Sequence, residues 1–338
     1  MIVIDGVAGG GQILRNAVAL SVVAGKPVRV VNIRGARPKP GLQAQHLVAL
    51  RAAADLSGAR LTGGEIGSRE IEFHPGPSQP PAEYSIDIGT AGSATLVLQC
   101  LLPIVAQSGR PCALTLRGGT NNPWAPPFEY FSRVFAPAVS PMGVEIEASL
   151  EARGFYPKGG GLLRVRAQAA APLSPIIREE RGRLVRLRGL AYSSNLPTHI
   201  VERMAEVARS RLHLPVPVEM ETDADTPSPG PGCGILLVAE FETGLRLGAD
   251  ALGERGKRAE TVGEEAAAQL LEEIESGAAT DRRLSDQLVI WAVLADGESR
   301  YTTSRLTDHT RAAIAVAEQI VGRRFRVEEG RVIAMARE

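Results

Sequence analysis

Apolar positions fall into runs of helical and strand-like length, and the runs recur in a fixed order. A helix-like run over residues 12–24 ends at Gly25 and leads into a strand-like run over 27–33. Arg34-Gly35, a proline-rich loop to Pro40 and a second helix-like run ending at Gly58 follow. The order then repeats. Residues 94–107 read as helix ending at Gly109, and 112–116 read as strand. Arg117-Gly118 and a loop to Pro123 precede a helix-like run ending near Gly143. Gly25 to Gly109 spans 84 residues, Arg34 to Arg117 83, Pro40 to Pro123 83 and Gly58 to Gly143 85. Four landmarks at one spacing predict a duplicated supersecondary unit. The glycines suit the left-handed position that closes a helix.

A third, more divergent copy is predicted at the C-terminal end. Residues 285–295 read as helix ending at Asp296-Gly297, and a polar loop holds Thr302, Thr303 and Ser304. Residues 309–321 read as helix ending at Gly322, followed by a strand-like 324–327. His309 stands 13 residues before its closing glycine, Tyr130 stands 13 before Gly143, and His46 stands 12 before Gly58. The loops before these second helices are therefore equivalent. Packing of the units about a pseudo-threefold axis would bring them to one site. The pattern implies a mixed α/β (α+β) fold with three repeated units at about 1–84, 85–168 and 271–338. A large domain comprises 1–175 and 271–338, and 176–270 reads as a smaller inserted α/β domain. Within the insert, 222–234 is turn-rich, and 261–276 predicts an amphipathic helix with an acidic, solvated face.

Composition sharpens this picture. At 338 residues the length suggests about two domains. Apolar residues at 44% and charged residues at 22% exclude wholesale disorder, and aromatics at 4% require an aliphatic core. No apolar run has membrane-spanning length, and the N-terminal residues lack a signal-peptide pattern. The three cysteines show neither paired nor metal-ligand spacing. These features are those of a cytoplasmic protein. Net charge is zero, yet residues 1–60 carry eight basic and two acidic side chains. That imbalance predicts a local anion site.

The candidate chemistry lies in that basic segment and in the third unit. Arg15 sits within an apolar helix-like run just after Gly9-Gly10-Gly11; it is either half of a buried salt bridge or an anion ligand. Arg34 and Arg37 flank a tight turn before Lys39, Gln45 and His46; this is a solvated basic loop or a phosphate grip. No two of the five histidines have metal-ligand spacing on one helix face. His309 begins a helix that Thr307 or Asp308 can cap, and its imidazole is a candidate nucleophile or base. The common hydrolase, P-loop, kinase and dinucleotide signatures are absent.

Taken in order, these blocks resemble the RNA 3′-terminal phosphate cyclase family nearly end to end. They are Gly9-Gly10-Gly11-Gln12-Ile13-Leu14-Arg15, Ile33-Arg34 with Arg37 and Lys39-Pro40-Gly41-Leu42, and Gln45-His46. They continue through Gly89-Thr90-Ala91-Gly92-Ser93 to Leu98-Gln99, Gly118-Gly119-Thr120 with Ala125-Pro126, and Asp286-Gln287-Leu288. The run Arg153-Gly154-Phe155-Tyr156-Pro157-Lys158-Gly159-Gly160-Gly161 is similar to the family signature.

The resemblance implies three βαβαββ-type units, like those of the C-terminal domain of translation initiation factor three, plus a small α/β insert. It implies ATP-dependent conversion of an RNA 3′-phosphate to a 2′,3′-cyclic phosphate. The route would pass through a histidine–AMP adduct and an RNA-(3′)pp(5′)-A end. His309 would be the nucleophile. Gln99, Pro126 and the segment Arg283, Leu284, Ser285, Asp286 and Gln287 would contact the nucleotide. Arg15, Arg34, Arg37, Gln45 and His46 would hold phosphates and the RNA end. A divalent cation, Mg²⁺ or Mn²⁺, would assist. The implied partners are RNA 3′-phosphate ends and ATP, with no membrane; a homodimer is left open. The chain departs from the family pattern at Ala8, where a glutamate is usual, so no metal ligand is assigned; it departs also at Arg283, Ala44, Ala312 and Ala313. The alternatives are an inactive cyclase-like RNA-binding or ribosome-assembly factor and an enolpyruvyl-transferase relative.

Overall fold

The computed structural model describes residues 1–7, 10–77 and 79–336. Ala8 and Gly9 of the first glycine motif lie outside the described residues. The chain opens with β1 (Ile2–Asp5), α1 (Gly10–Ala24), β2 (Val28–Val31), α2 (Ala44–Ser57), β3 (Arg60–Thr62) and β4 (Ile71–His74). Their sheet has the order β1-β2-β4-β3. β1 lies parallel to β2 with Ile2 opposite Val28, and β4 runs antiparallel to both β2 and β3.

The next stretch repeats the pattern with β5 (Glu83–Asp87), α3 (Ala94–Ser108), β6 (Cys112–Gly118), α4 (Phe128–Tyr130), α5 (Ala136–Val139), β7 (Val144–Ala152) and β8 (Gly161–Ala169). A π-helical turn, Phe131–Phe135, joins α4 to α5, and a 3₁₀ turn, Ser140–Met142, ends the helical stretch. The sheet order is β5-β6-β8-β7, with β5 parallel to β6 and the other pairs antiparallel.

After β9 (Ile177–Arg178) come β10 (Leu184–Ser194), α6 (His199–Arg211), β11 (Val218–Asp223), β12 (Gly232–Phe241), β13 (Arg246–Leu252) and α7 (Ala259–Glu275). These form a sheet of order β11-β10-β12-β13. They enclose an apolar cluster of their own, including Leu187, Val201, Met204, Leu237, Val262 and Leu270. The acidic face expected on α7 is partly engaged by the neighbouring helix: Glu260 and Glu264 pair with Arg203 and Arg211 of α6. The chain then returns through α8 (Arg282–Leu294), β14 (Ser299–Thr302), α9 (Asp308–Val321), β15 (Phe325–Glu328) and β16 (Arg331–Ala334). Their sheet is completed by β9, which lies parallel to β14 with Ile177 opposite Arg300. Ile177 and Arg178 thus pair outside the β10–β13 sheet, although they fall within the 176–270 segment read from the sequence as an insert.

Helix placement follows from apolarity. Every residue of α1 from Ile13 to Val22 is buried, as expected of a helix that is apolar nearly all round. α1, α3, α8 and α9 pack into one continuous aliphatic cluster with Leu14, Leu98, Leu101, Leu288, Val289 and Ala317 fully or almost fully enclosed. Gly58 and Gly322 close α2 and α9 with φ of 57° and 80°, the left-handed region where a β-carbon is disfavoured.

The signature run at 153–161 is a structural joint. Arg153 is buried and ion-paired with Glu129, and with Asp223 of β11 at 2.7 Å. Its guanidinium lies 4.1 Å from the ring centre of Tyr192. Gly154 packs so close to Gly161 and to the carbonyl of Gly118 that a side chain could not be accommodated.

Candidate active site

The starts of several helices and the loops before them open onto one cavity of about 470 Å³. Its walls include Arg15, Arg34, Arg37, Gln45, His46, Gln99, Pro126, Arg283, Asp286, Gln287 and His309. These are the predicted site residues apart from Leu284 and Ser285. Those two are fully buried and belong to the opposite face of α8. The reason is helical phase. Positions 283, 286, 287 and 290 share one face, and 284, 285 and 288 share the face turned to the core. Of the segment 283–287, Arg283, Asp286 and Gln287 line the cavity, and Leu284 and Ser285 do not.

Arg15, Gln99 and Gln287 are each the sixth residue of their helices, α1, α3 and α8. Gln45 and His309 are each the second residue of theirs, α2 and α9. Polar side chains at matching places in different helices thus reach the same cavity.

Arg15 is buried, and among the described residues no carboxylate pairs with it, so the salt-bridge reading finds no partner there. Burial lowers its pKa to about 10, with Cys100 acting in the opposite direction. His46 lies beside it: a β-carbon at Gly11 would collide with Nε2 of His46 and stand 3.0 Å from Nη1 of Arg15. The backbone N–H of Gln43 donates to Nδ1 of His46 at 3.2 Å. Burial first, then the charges of Arg15 and Arg34, lower the His46 pKa to about 3. The ring is neutral at physiological pH and carries its proton on Nε2.

Arg34 has a left-handed backbone, φ 55°, and its Nη1 donates to the carbonyls of Lys39 and Gly41 at 2.6 and 3.0 Å. The guanidinium thereby ties the loop together and retains further N–H donors. Burial and the nearby Arg37 lower its pKa. Arg37 is exposed and lies over the start of α1, with its Nη2 placed 3.2 Å from where a β-carbon of Gly10 would be. Gln45 accepts from the backbone N–H of Ser93 at 3.0 Å, which fixes the N-cap of α3.

On the other wall, Thr307 caps α9 by accepting from the Thr310 N–H. Asp286 Oδ1 accepts from the hydroxyls of Thr307 and Thr310 at 2.6 and 2.5 Å. Burial raises the Asp286 pKa, while those hydroxyls, His309 and Arg283 oppose the rise. His309 is exposed, and its carbonyl accepts from Gln12 Nε2 at 3.3 Å. Arg283 is ion-paired with Asp250 of β13. Asp281 caps α8 and accepts from Tyr130 Oη at 2.7 Å and from the Gly248 N–H at 3.0 Å, so β13 braces this wall.

Sequence reasoning missed Asn16, Leu96, Trp124, Phe135, Ile290 and Trp291, which also line the cavity. Asn16 and Leu96 carried a readable signal, since they stand one helical turn from Gln12 and Gln99 on the same faces. Trp124 carried none beyond its rarity.

A family profile described as RNA 3′-terminal phosphate cyclase matches residues 7–327. A curated relative of that name from Thermococcus onnurineus is 46% identical over 331 residues, covering 97% of this chain and 96% of its own. One from Archaeoglobus fulgidus is 44% identical over 335 residues, covering 98% and 99%. One from Caldivirga maquilingensis is 46% identical over 326 residues, covering 94% and 92%. The solved structure of the enolpyruvyl transferase NikO from Streptomyces tendae aligns at 14% identity over 99% of this chain and 81% of that one. Its TM-score of 0.28 is too low to carry an argument. Matched end to end by profile and by relatives of equal length, this chain belongs to the RNA 3′-terminal phosphate cyclase family.

Proposed function

We propose that this protein uses ATP to convert an RNA 3′-terminal phosphate to a 2′,3′-cyclic phosphate, with His309 as the nucleotide carrier. The observation that carries the reading is the shared cavity. It holds an accessible imidazole on one wall, and arginines without carboxylate partners among the described residues on another.

The chemistry follows from charge. A phosphate monoester resists attack because its oxygens are anionic and its departing oxygen is a poor leaving group. A His309 ring nitrogen attacks the α-phosphorus of ATP, the α–β P–O bond breaks and pyrophosphate leaves. An oxygen of the RNA 3′-phosphate then takes the AMP from nitrogen, giving RNA-(3′)pp(5′)-A. The vicinal 2′-hydroxyl attacks the 3′-phosphorus, its proton departs, and AMP leaves with the bond that adenylation had activated. Arg15, Arg34 and Arg37 stabilise charge on the phosphoryl oxygens, and neutral His46 donates from Nε2. The N-terminus of α9 adds its dipole where His309 acts. Gln99, Pro126, Arg283, Asp286 and Gln287 serve the nucleotide side.

The residues present do not make a cage for a divalent cation. Among the described residues no group of three or more His, Cys, Asp or Glu side chains could hold one. Asp286, the carboxylate lining the cavity, already receives two hydroxyls. No step here runs through a protein-held metal.

The architecture supports the same reading. The three sheets of like order are three units about a pseudo-threefold axis, the third completed by β9, with the β10–β13 body as an inserted domain. Among the described residues no helix is long and apolar enough to cross a membrane. The presence of His309 together with all three arginines in one cavity speaks against the inactive assembly-factor alternative. Incubation with α-labelled ATP tests the reading. Wild type is expected to acquire acid-labile label, and His309→Ala none. A wild-type protein that never takes label with any nucleotide or divalent cation, and never cyclises an RNA 3′-phosphate, overturns it.

A further inference from the structure

We propose that Trp124 is a stacking platform for the nucleobase at the 3′ end of a single-stranded RNA, standing at the mouth of the cavity. The identity of the ligand rests on the cyclase reading above. Trp124 is one of two tryptophans in the chain, and the pair are opposites. Trp291 is 2% exposed, its ring 6.0 Å from that of Phe135 in the cavity wall. Trp124 is 95% exposed, yet it too lines the cavity. A side chain that meets both conditions stands at the opening.

Its backbone shows that this placement is imposed. Trp124 has φ 65°, a region that bulky residues rarely occupy because the β-carbon crowds the carbonyl. Such strain persists only where the surroundings over-determine it. Here they do. The Thr120 N–H donates to the Gly154 carbonyl and the Phe128 N–H to the Thr120 carbonyl, both at 2.9 Å. Asn121 Nδ2 donates to Glu129 Oε2 at 2.7 Å, and Asn122 Nδ2 donates to the carbonyl of Ala91. Glu129 is in turn held by Arg153. The buried signature joint therefore holds a rigid loop whose tip presents an indole to water.

A fully hydrated indole gains nothing from the fold, since its apolar surface is left uncovered. The cavity it shares identifies what covers it. Arg34 and Arg37 line the same cavity and pair with no carboxylate among the described residues. An aromatic face that shares a cavity with unpaired cations is the combination that holds single-stranded nucleic acid: the cations take phosphates, and the ring takes a base of any sequence. Position selects the source of the base. A mononucleotide can lie wholly inside the cavity, whereas a polymer whose terminal phosphate reaches His309 must leave through the opening, across Trp124.

The test uses the full chain and two short oligoribonucleotides ending in a 3′-phosphate. One has an ordinary terminal nucleotide. The other has an abasic terminal ribose that keeps its 2′-hydroxyl. The base-bearing RNA is expected to quench tryptophan emission strongly, the abasic one and ATP alone weakly. Wild type is expected to favour the base-bearing RNA about tenfold in kcat/KM, consistent with one stacked base. Trp124→Ala brings the two substrates level, and Trp124→Phe restores most of the preference. Equal kcat/KM for both RNAs in wild type, or quenching by ATP alone as strong as by RNA, overturns the proposal. If wild type cyclises neither RNA, the cyclase reading falls, and the quench still decides the stacking.

Discussion

The Gln43 backbone N–H and His46 Nδ1 form a hydrogen bond of 3.2 Å at the start of α2, and this bond decides which ring nitrogen faces the cavity. An N3 side chain reaching back to the N-cap usually belongs to Glu or Gln. A histidine in that role stays uncharged, so it satisfies the backbone without adding an anion to a cavity lined by Arg15, Arg34 and Arg37.

The same burial makes His46 a source of acid sensitivity. Its pKa is lowered from 6.5 to about 3, so as pH falls through that window the unfolded chain takes up a proton that the folded chain refuses. Stability is fully present above pH 6.5 and is lost progressively below it, by roughly 2 kcal/mol at pH 5 for this ring alone. Urea unfolding at pH 7.5 and pH 5 is expected to show a smaller pH-dependent loss in His46→Gln than in wild type. Equal losses would remove His46 from the account.

Arg15→Met separates structural from functional use of a buried charge. Arg15 has no carboxylate partner among the described residues, so its removal leaves no orphaned anion. The variant is expected to match or exceed wild-type thermal stability while losing on the order of a hundredfold in kcat/KM for cyclisation, as a desolvated phosphate contact implies. A variant that unfolds easily and retains its activity would restore the salt-bridge reading.

Asp286 links α8 to the cap of α9 through Thr307 and Thr310, and its charge acts on His309. Asp286→Asn preserves a hydrogen-bond acceptor and removes the charge. Protein–AMP formation in single turnover is expected to slow about tenfold, with thermal stability changed little, because the imidazolium that develops on attack loses its counter-charge. An unchanged rate would show that the carboxylate only caps the helix.

Arg153 joins Glu129 and Asp223 in an ion triad in which Arg153 and Glu129 are buried and Asp223 is partly exposed. Arg153→Ala leaves Glu129 buried and uncompensated, a change expected to cost about 3–5 kcal/mol in urea unfolding. Replacing Arg153 and Glu129 together with Met and Gln should recover much of that loss. A mild effect from the single change would show that water reaches the joint.

The helix ends were legible because closing glycines such as Gly58, Gly109 and Gly143 are backbone necessities. Arg15, Arg34 and His309, which line the cavity, stood out because each breaks a local rule, a charge in an apolar helix, two cations at a turn, an imidazole at a helix start. That Leu284 and Ser285 face away from the cavity was not legible, because a block of residues carries no phase until the helix is oriented against its core. Ile177–Arg178 escaped notice because two residues have no periodicity. Trp124 escaped because exposure is a property of the assembled loop.

The distance along the chain between Ile177 and its partner Arg300 sets an order of events during synthesis. The ribosome delivers the segment bearing Arg15, Arg34 and Arg37 first, then the β10–β13 body with its own apolar centre, and only near the end Asp286 and His309. On the proposed function, incomplete chains would carry the guanidinium wall without the imidazole that bonds to phosphorus, and the last helix to emerge would arm the enzyme.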